Sequence, residues 1–103
     1  MQANPQNATA MTAAALCRAK LGETETAVRL MKKALSLAPE NAEVQFQAAI
    51  VYALAGNENH AFNALGAAVR SGYPAEQIRR EPELNRLRQD ARFSKALQQG
   101  AKS

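Results

Sequence analysis

Apolar residues recur along this chain at the three- and four-residue spacing of helix faces, and long alternating runs are absent. That period predicts amphipathic helices and not strands, hence an all-α fold. The pattern divides into pairs. One predicted helix covers about 8–21 and a second about 23–37; a third covers about 42–55 and a fourth about 58–71. Gly22 and Gly56 separate the members of each pair, because glycine accepts the left-handed conformation just past a helix C-terminus. Pro39 cannot continue the second helix, and Asn41 is a suitable cap for the third. Gly72-Tyr73-Pro74 closes the fourth helix. Beyond it the pattern predicts a short helix over 75–80, another from Pro82 through Arg88 carrying Leu84 and Leu87, and a last one capped by Asp90 with Phe93, Ala96 and Leu97 on one face.

The two pairs are copies of each other. Shifting the chain by 34 positions places Pro5 on Pro39, Asn7 on Asn41, Ala8 on Ala42, Ala15 on Ala49, Gly22 on Gly56, Ala27 on Ala61 and Ala34 on Ala68. Conservative pairs fill the intervals: Leu16 with Ile50, Cys17 with Val51, Val28 with Phe62, Met31 with Leu65. The matched alanines are expected where two helix backbones approach closely, since larger side chains there overpack the crossing. Asn4-Pro5-Gln6-Asn7 resembles the junction Pro39-Glu40-Asn41, and reads either as the tail of a preceding repeat or as an N-capping loop.

This 34-residue helix–turn–helix pattern resembles the tetratricopeptide repeat family. In the first unit the positions that match are Ala15, Gly22, Ala27, Met31, Ala34 and Pro39; in the second they are Ala49, Tyr52, Gly56, Ala61, Leu65 and Ala68. Met11 and Gln45 stand where the family has an aromatic, and Arg18 stands opposite Tyr52, so the pair is divergent. The run Glu81-Pro82-Glu83-Leu84-Asn85-Arg86-Leu87-Arg88-Gln89-Asp90-Ala91-Arg92-Phe93 is similar to an ending of bacterial members, with Ala91 in place of a proline. The resemblance implies a single domain over 1–103: a right-handed superhelix of two repeats (about 8–41 and 42–73) closed by a helical cap over about 74–98. It also implies the C-terminal end of a bacterial repeat protein.

Composition narrows the function classes. The net charge of +4 is mild and mostly interspersed with acids, without the concentrated basic stripe and aromatic platforms of a nucleic-acid binder. No stretch approaches the roughly 20 apolar residues of a membrane span, and residues 1–5 do not read as a secretion signal. Cys17 is the only cysteine, which fits a reducing, cytoplasmic setting. Its match to Val51 predicts a small buried apolar residue and not a nucleophile. His60, the only histidine, lies beside Asn59 with no acid, Cys or Ser at a useful spacing, and reads as a surface residue. No constellation for acid–base, nucleophilic or metal catalysis emerges, so neither enzymatic activity nor a cofactor is expected.

What the family resemblance implies instead is a groove lined by the first helix of each repeat, where a protein or peptide partner binds. By position the lining residues are Thr9, Thr12, Leu16, Ala19 and Lys20, then Glu43, Phe46, Ile50, Ala53 and Leu54. Family members that clamp a carboxylate do so with Lys and Asn on this face; here Lys20 stands alone there, so that specialised function is not expected. Phe46, Ile50 and Leu54 are spaced by four and form an apolar stripe that needs covering. The capping helices, a second copy of the chain or a partner peptide would each do so. The expected function is a protein-interaction scaffold, with a homo-oligomerisation element or a regulatory part of a larger signalling protein as alternatives.

Overall fold

The computed structural model describes the backbone of residues 5–101 and the side chains of residues 7–98. Among these the chain is all helix and turn. It runs α1 (Pro5–Lys20), α2 (Thr24–Leu37), α3 (Ala42–Leu54), α4 (Glu58–Arg70), α5 (Ala75–Arg80), a 3₁₀ turn (Pro82–Leu84), α6 (Asn85–Arg88) and α7 (Ala91–Ala101). α1 pairs with α2 and α3 with α4; the hairpins stack through α3, which meets both α1 and α2. α7 packs on α4, and the 3₁₀ turn packs on α3. This is the all-α, tetratricopeptide-like architecture that the repeat predicts.

Local chemistry explains the boundaries. After α1, Glu23 N–H reaches the Arg18 carbonyl at 2.9 Å and Gly22 N–H reaches Ala19 at 3.1 Å. After α3, the same pair recurs as Asn57 to Tyr52 at 2.8 Å and Gly56 to Ala53 at 3.1 Å. This crossed pattern needs a left-handed residue past the helix end, and Gly22 and Gly56 supply it with φ of 89° and 82°. Asn41 caps α3 by accepting from Val44 N–H at 3.0 Å. Asp90 caps α7: its carboxylate accepts from Arg92 N–H at 2.9 Å.

Two boundaries differ from expectation. α1 begins at Pro5, ahead of Ala8, so Pro5, Gln6 and Asn7 form its first turn and not a loop. A proline fits there because the first turn has no intrahelical use for its missing N–H. Asn4 and the Met1–Asn4 part of the N-terminal reading lie outside the described residues. The predicted 82–88 helix is divided: a 3₁₀ turn closed by Leu84 N–H on the Glu81 carbonyl at 3.1 Å, and then α6.

The core is built on the repeat. Ala15, Ala27, Ala34, Ala48, Ala49, Ala61 and Ala68 are completely buried, and Met31 and Leu65 fill equivalent sites in the two hairpins. Cys17 departs from prediction: it is exposed, whereas its repeat counterpart Val51 is wholly buried. α3 has the first hairpin against it, and among the described residues nothing equivalent covers α1. Leu21, just past the C-terminal end of α1, is 71% exposed.

Candidate functional site

The faces of α1 and α3 expected to form a groove behave as two different surfaces. The stripe on α3 is covered. Phe46 and Ile50 are buried, and Leu54 is half-buried. Tyr73, just past the Gly72 turn, lays its ring on Phe46 with centroids 4.3 Å apart and planes at 16°. Leu54 and Ala53 border a cavity of about 260 Å³ whose other lining residues are Pro82, Glu83, Arg86 and Leu87. Of the three possible covers for this stripe, the chain's own C-terminal segment is the one in place. Leu84 and Leu87 are fully buried.

Polar contacts fasten this cover. Lys20, the sole cation among the expected groove residues, pairs with Glu83 at 3.1 Å. Both partners are partly exposed, so the pair contributes less than about 1 kcal/mol. Arg88 donates to the Glu81 carbonyl at 2.6 Å. Arg92 lies 4.5 Å above the Phe62 ring and donates to Asn59 at 2.6 Å, while also meeting Glu58 at 3.5 Å and Asp90 at 2.9 Å. Its hydrogen bonds hold the Asp90 carboxyl below the usual carboxylate range.

The other surface is an open cleft of about 180 Å³ between α1 and α3, lined by Thr9, Thr12, Ala13, Leu16, Glu43, Val44 and Gln47. Its geometry follows from the repeat. Thr9 and Glu43 hold the same repeat position, as do Ala13 and Gln47, so matching positions of successive first helices lie side by side along the cleft. The structure therefore brings together Thr9, Thr12, Leu16 and Glu43 at the cleft and separates them from Phe46, Ile50, Leu54 and Lys20. Ala13, Val44 and Gln47 were missed, though the shift that pairs Thr9 with Glu43 also pairs Ala13 with Gln47.

The cleft is apolar at its base and acidic at its rim. The Thr12 hydroxyl donates to the Ala8 carbonyl at 2.7 Å, which spends its donor on α1 itself and leaves its methyl as packing surface. Gln47 donates from Nε2 to Glu43 at 2.9 Å, while its Oε1 is buried without a hydrogen-bond partner. The field of Glu43 extends to Tyr73. Burial chiefly raises that phenol's pKa, and the negative charges of Glu43 and Glu81 raise it further.

Residues with chemical potential elsewhere are dispersed. His60 is exposed, with Nδ1 2.9 Å from the Asn57 side-chain oxygen and its ring tilted against Tyr52 at 5.1 Å. Among the described residues no group of three or more His, Cys, Asp or Glu side chains gathers as a metal site, and no helix is long and apolar enough to cross a membrane.

Comparison with known proteins gives one informative likeness. The chain is 39% identical over 71 residues to "Interferon-induced protein with tetratricopeptide repeats 3" of Mus musculus; the match takes in 69% of this chain and 18% of that protein. The chain thus spans less than a fifth of this relative's length. No family model matches the chain, and no solved structure matches it.

Proposed function

We propose that this chain is a non-catalytic protein-interaction module that holds a segment of a partner protein in the cleft between α1 and α3. One observation carries the reading: an open, mainly apolar cleft formed by matching faces of two successive repeats. The covered stripe is excluded from the contact surface in this conformation, because its apolar area is already spent on the cap. Likeness to a tetratricopeptide protein supports a scaffold role in general and specifies no partner. The cytoplasmic setting and the bacterial, signalling-linked ending remain parts of this proposal, resting on the lone cysteine and the Glu81–Phe93 run.

Leu16→Asp tests the contact surface. Leu16 is half-buried at the cleft wall, and a carboxylate there opposes entry of an apolar group. With unchanged helicity by circular dichroism, the variant is expected to lose proteins that the parent chain retains on a column of native lysate. Equal retention of the same proteins by both would remove the cleft from the account.

Self-association is a second reading, and a different surface favours it. On α1, Ala10, Ala14 and Cys17 are exposed at helical spacing, with exposed Leu21 just past the helix end, while the counterparts of the first three on α3 are the buried Val44, Ala48 and Val51. A second copy seated there would make light-scattering mass rise with concentration and would protect Cys17 from thiol reagents. A constant monomer mass with a reactive Cys17 is the outcome against it.

A further inference from the structure

The cleft between α1 and α3 has a charge, and its charge specifies what kind of segment fits. This step rests on the reading of the cleft as the contact surface and adds the chemistry of the occupant. Its floor and one wall are Thr12, Ala13, Leu16 and Val44; the polar groups on the α3 wall are the Glu43 carboxylate and the Gln47 amide. Among the described residues no Lys or Arg lines it. Lys20, which the sequence places on the same face, is held at the far end of the groove by Glu83.

The charged group that lines the cleft is an acceptor, the Glu43 carboxylate. The Thr12 hydroxyl proton is committed to Ala8, and Gln47 Nε2 to Glu43. Glu43 keeps one carboxylate oxygen outside that hydrogen bond, on an exposed side chain at the cleft rim. Glu43 also acts beyond the cleft, raising the Tyr73 pKa together with Glu81, which marks this edge as negative on a chain of net charge +4. The size is informative as well: a cavity of the order of 150 Å³ admits a benzene-sized group. About 180 Å³ is room for one large apolar side chain.

We propose that the occupant is an extended segment of a partner protein in which a leucine- or phenylalanine-sized side chain neighbours an arginine or lysine. The apolar group enters between Thr12, Ala13, Leu16 and Val44, and the cation meets the Glu43 carboxylate. Arginine suits the site better than lysine, since its planar fork matches a carboxylate. An acidic segment is rejected, because it brings a like charge to Glu43.

The test uses the full chain and three blocked tetrapeptides: Ala-Leu-Arg-Ala, Ala-Leu-Gln-Ala and Ala-Leu-Glu-Ala. Amide chemical shifts of the labelled protein are followed at low salt during titration with each. The expected result is binding of the Arg peptide, weak but saturable, with shifts concentrated at residues 9–16 and 43–47. Its affinity should exceed that of the Gln peptide by roughly three- to tenfold, a ratio that shrinks as salt is raised. Glu43→Gln should abolish the difference, and Glu43→Lys should transfer the preference to the Glu peptide. Both variants alter an exposed side chain, so the shift map itself reports whether the fold is kept.

Equal binding of all three peptides in the cleft, unaltered by Glu43→Lys, overturns the charge assignment while leaving the cleft as a contact surface. Absence of shifts in residues 9–16 and 43–47 with every peptide overturns both.

Discussion

Replacing Phe46 with alanine asks whether the C-terminal segment really closes the groove. Phe46 is 3% exposed, its ring stacked on Tyr73 and its neighbours part of one continuous core with Leu84 and Leu87. Truncating a buried phenylalanine costs about 3–5 kcal/mol, and the lost aromatic pair accounts for roughly 0.5–1.5 kcal/mol beyond simple burial. About 4 kcal/mol is therefore expected, a large fraction of the roughly 5–15 kcal/mol available to a domain of this size. At about 4 °C or more per kcal/mol, the melting temperature should fall by about 15 °C or more. Urea and thermal unfolding by circular dichroism measure this, with light scattering alongside. Tyr73→Ala alone should cost less, because Tyr73 is half-exposed, and the double variant should show a coupling of about 1 kcal/mol. A loss below about 1 kcal/mol for Phe46→Ala, typical of surface sites, would refute the covered stripe. A dimer that falls apart while its monomer stays stable would assign the cover to a second copy instead.

Other consequences follow from the same contacts. Ala27→Leu places three extra carbons at a fully buried site and should destabilise by about 1–3 kcal/mol in urea unfolding; a neutral outcome contradicts the repeat register. Removing residues 82–103 strips the 3₁₀ turn from α3 and α7 from α4, so the melting temperature should drop sharply; an unchanged value makes the tail an appendage. Asp90 has its folded pKa held below 3.8, the ordinary value, so the unfolded chain binds its proton first. Its contribution is present in full above that value and is lost as pH falls through the folded pKa. Asp90→Asn should therefore lower the melting temperature at pH 6, with a deficit that narrows as pH is taken further below 3.8; a deficit that stays the same throughout contradicts the ionic role.

How far the sequence reaches depends on the range of the interaction. The hairpin boundaries at Gly22, Gly56, Asn41 and Asp90 are legible because each is set by backbone hydrogen bonds within a few residues. The alanine crossings are legible because the repeat writes them twice. Tyr73 on Phe46 is not, since nothing local in Gly72-Tyr73-Pro74 tells where that ring lands. Arg92 reaching Asn59 and Glu58, 33 and 34 residues away, is hidden for the same reason. Cys17 shows the limit of arguing from the repeat alone. Identical periodicity on α1 and α3 meets different neighbours, so Val51 is buried and Cys17 is not. The groove likewise divides because a segment distant in sequence occupies one half of it.

The central claim is that partner contact occurs in the open half. Placing a benzophenone amino acid at Ala13, inside the cleft, and separately at the exposed Lys33 of α2, tests it directly by photo-cross-linking in native lysate. Discrete cross-linked protein bands are expected from position 13, competed away by excess unlabelled chain, and none from position 33. Bands from position 33 alone, or the same uncompeted smear from both, would contradict it.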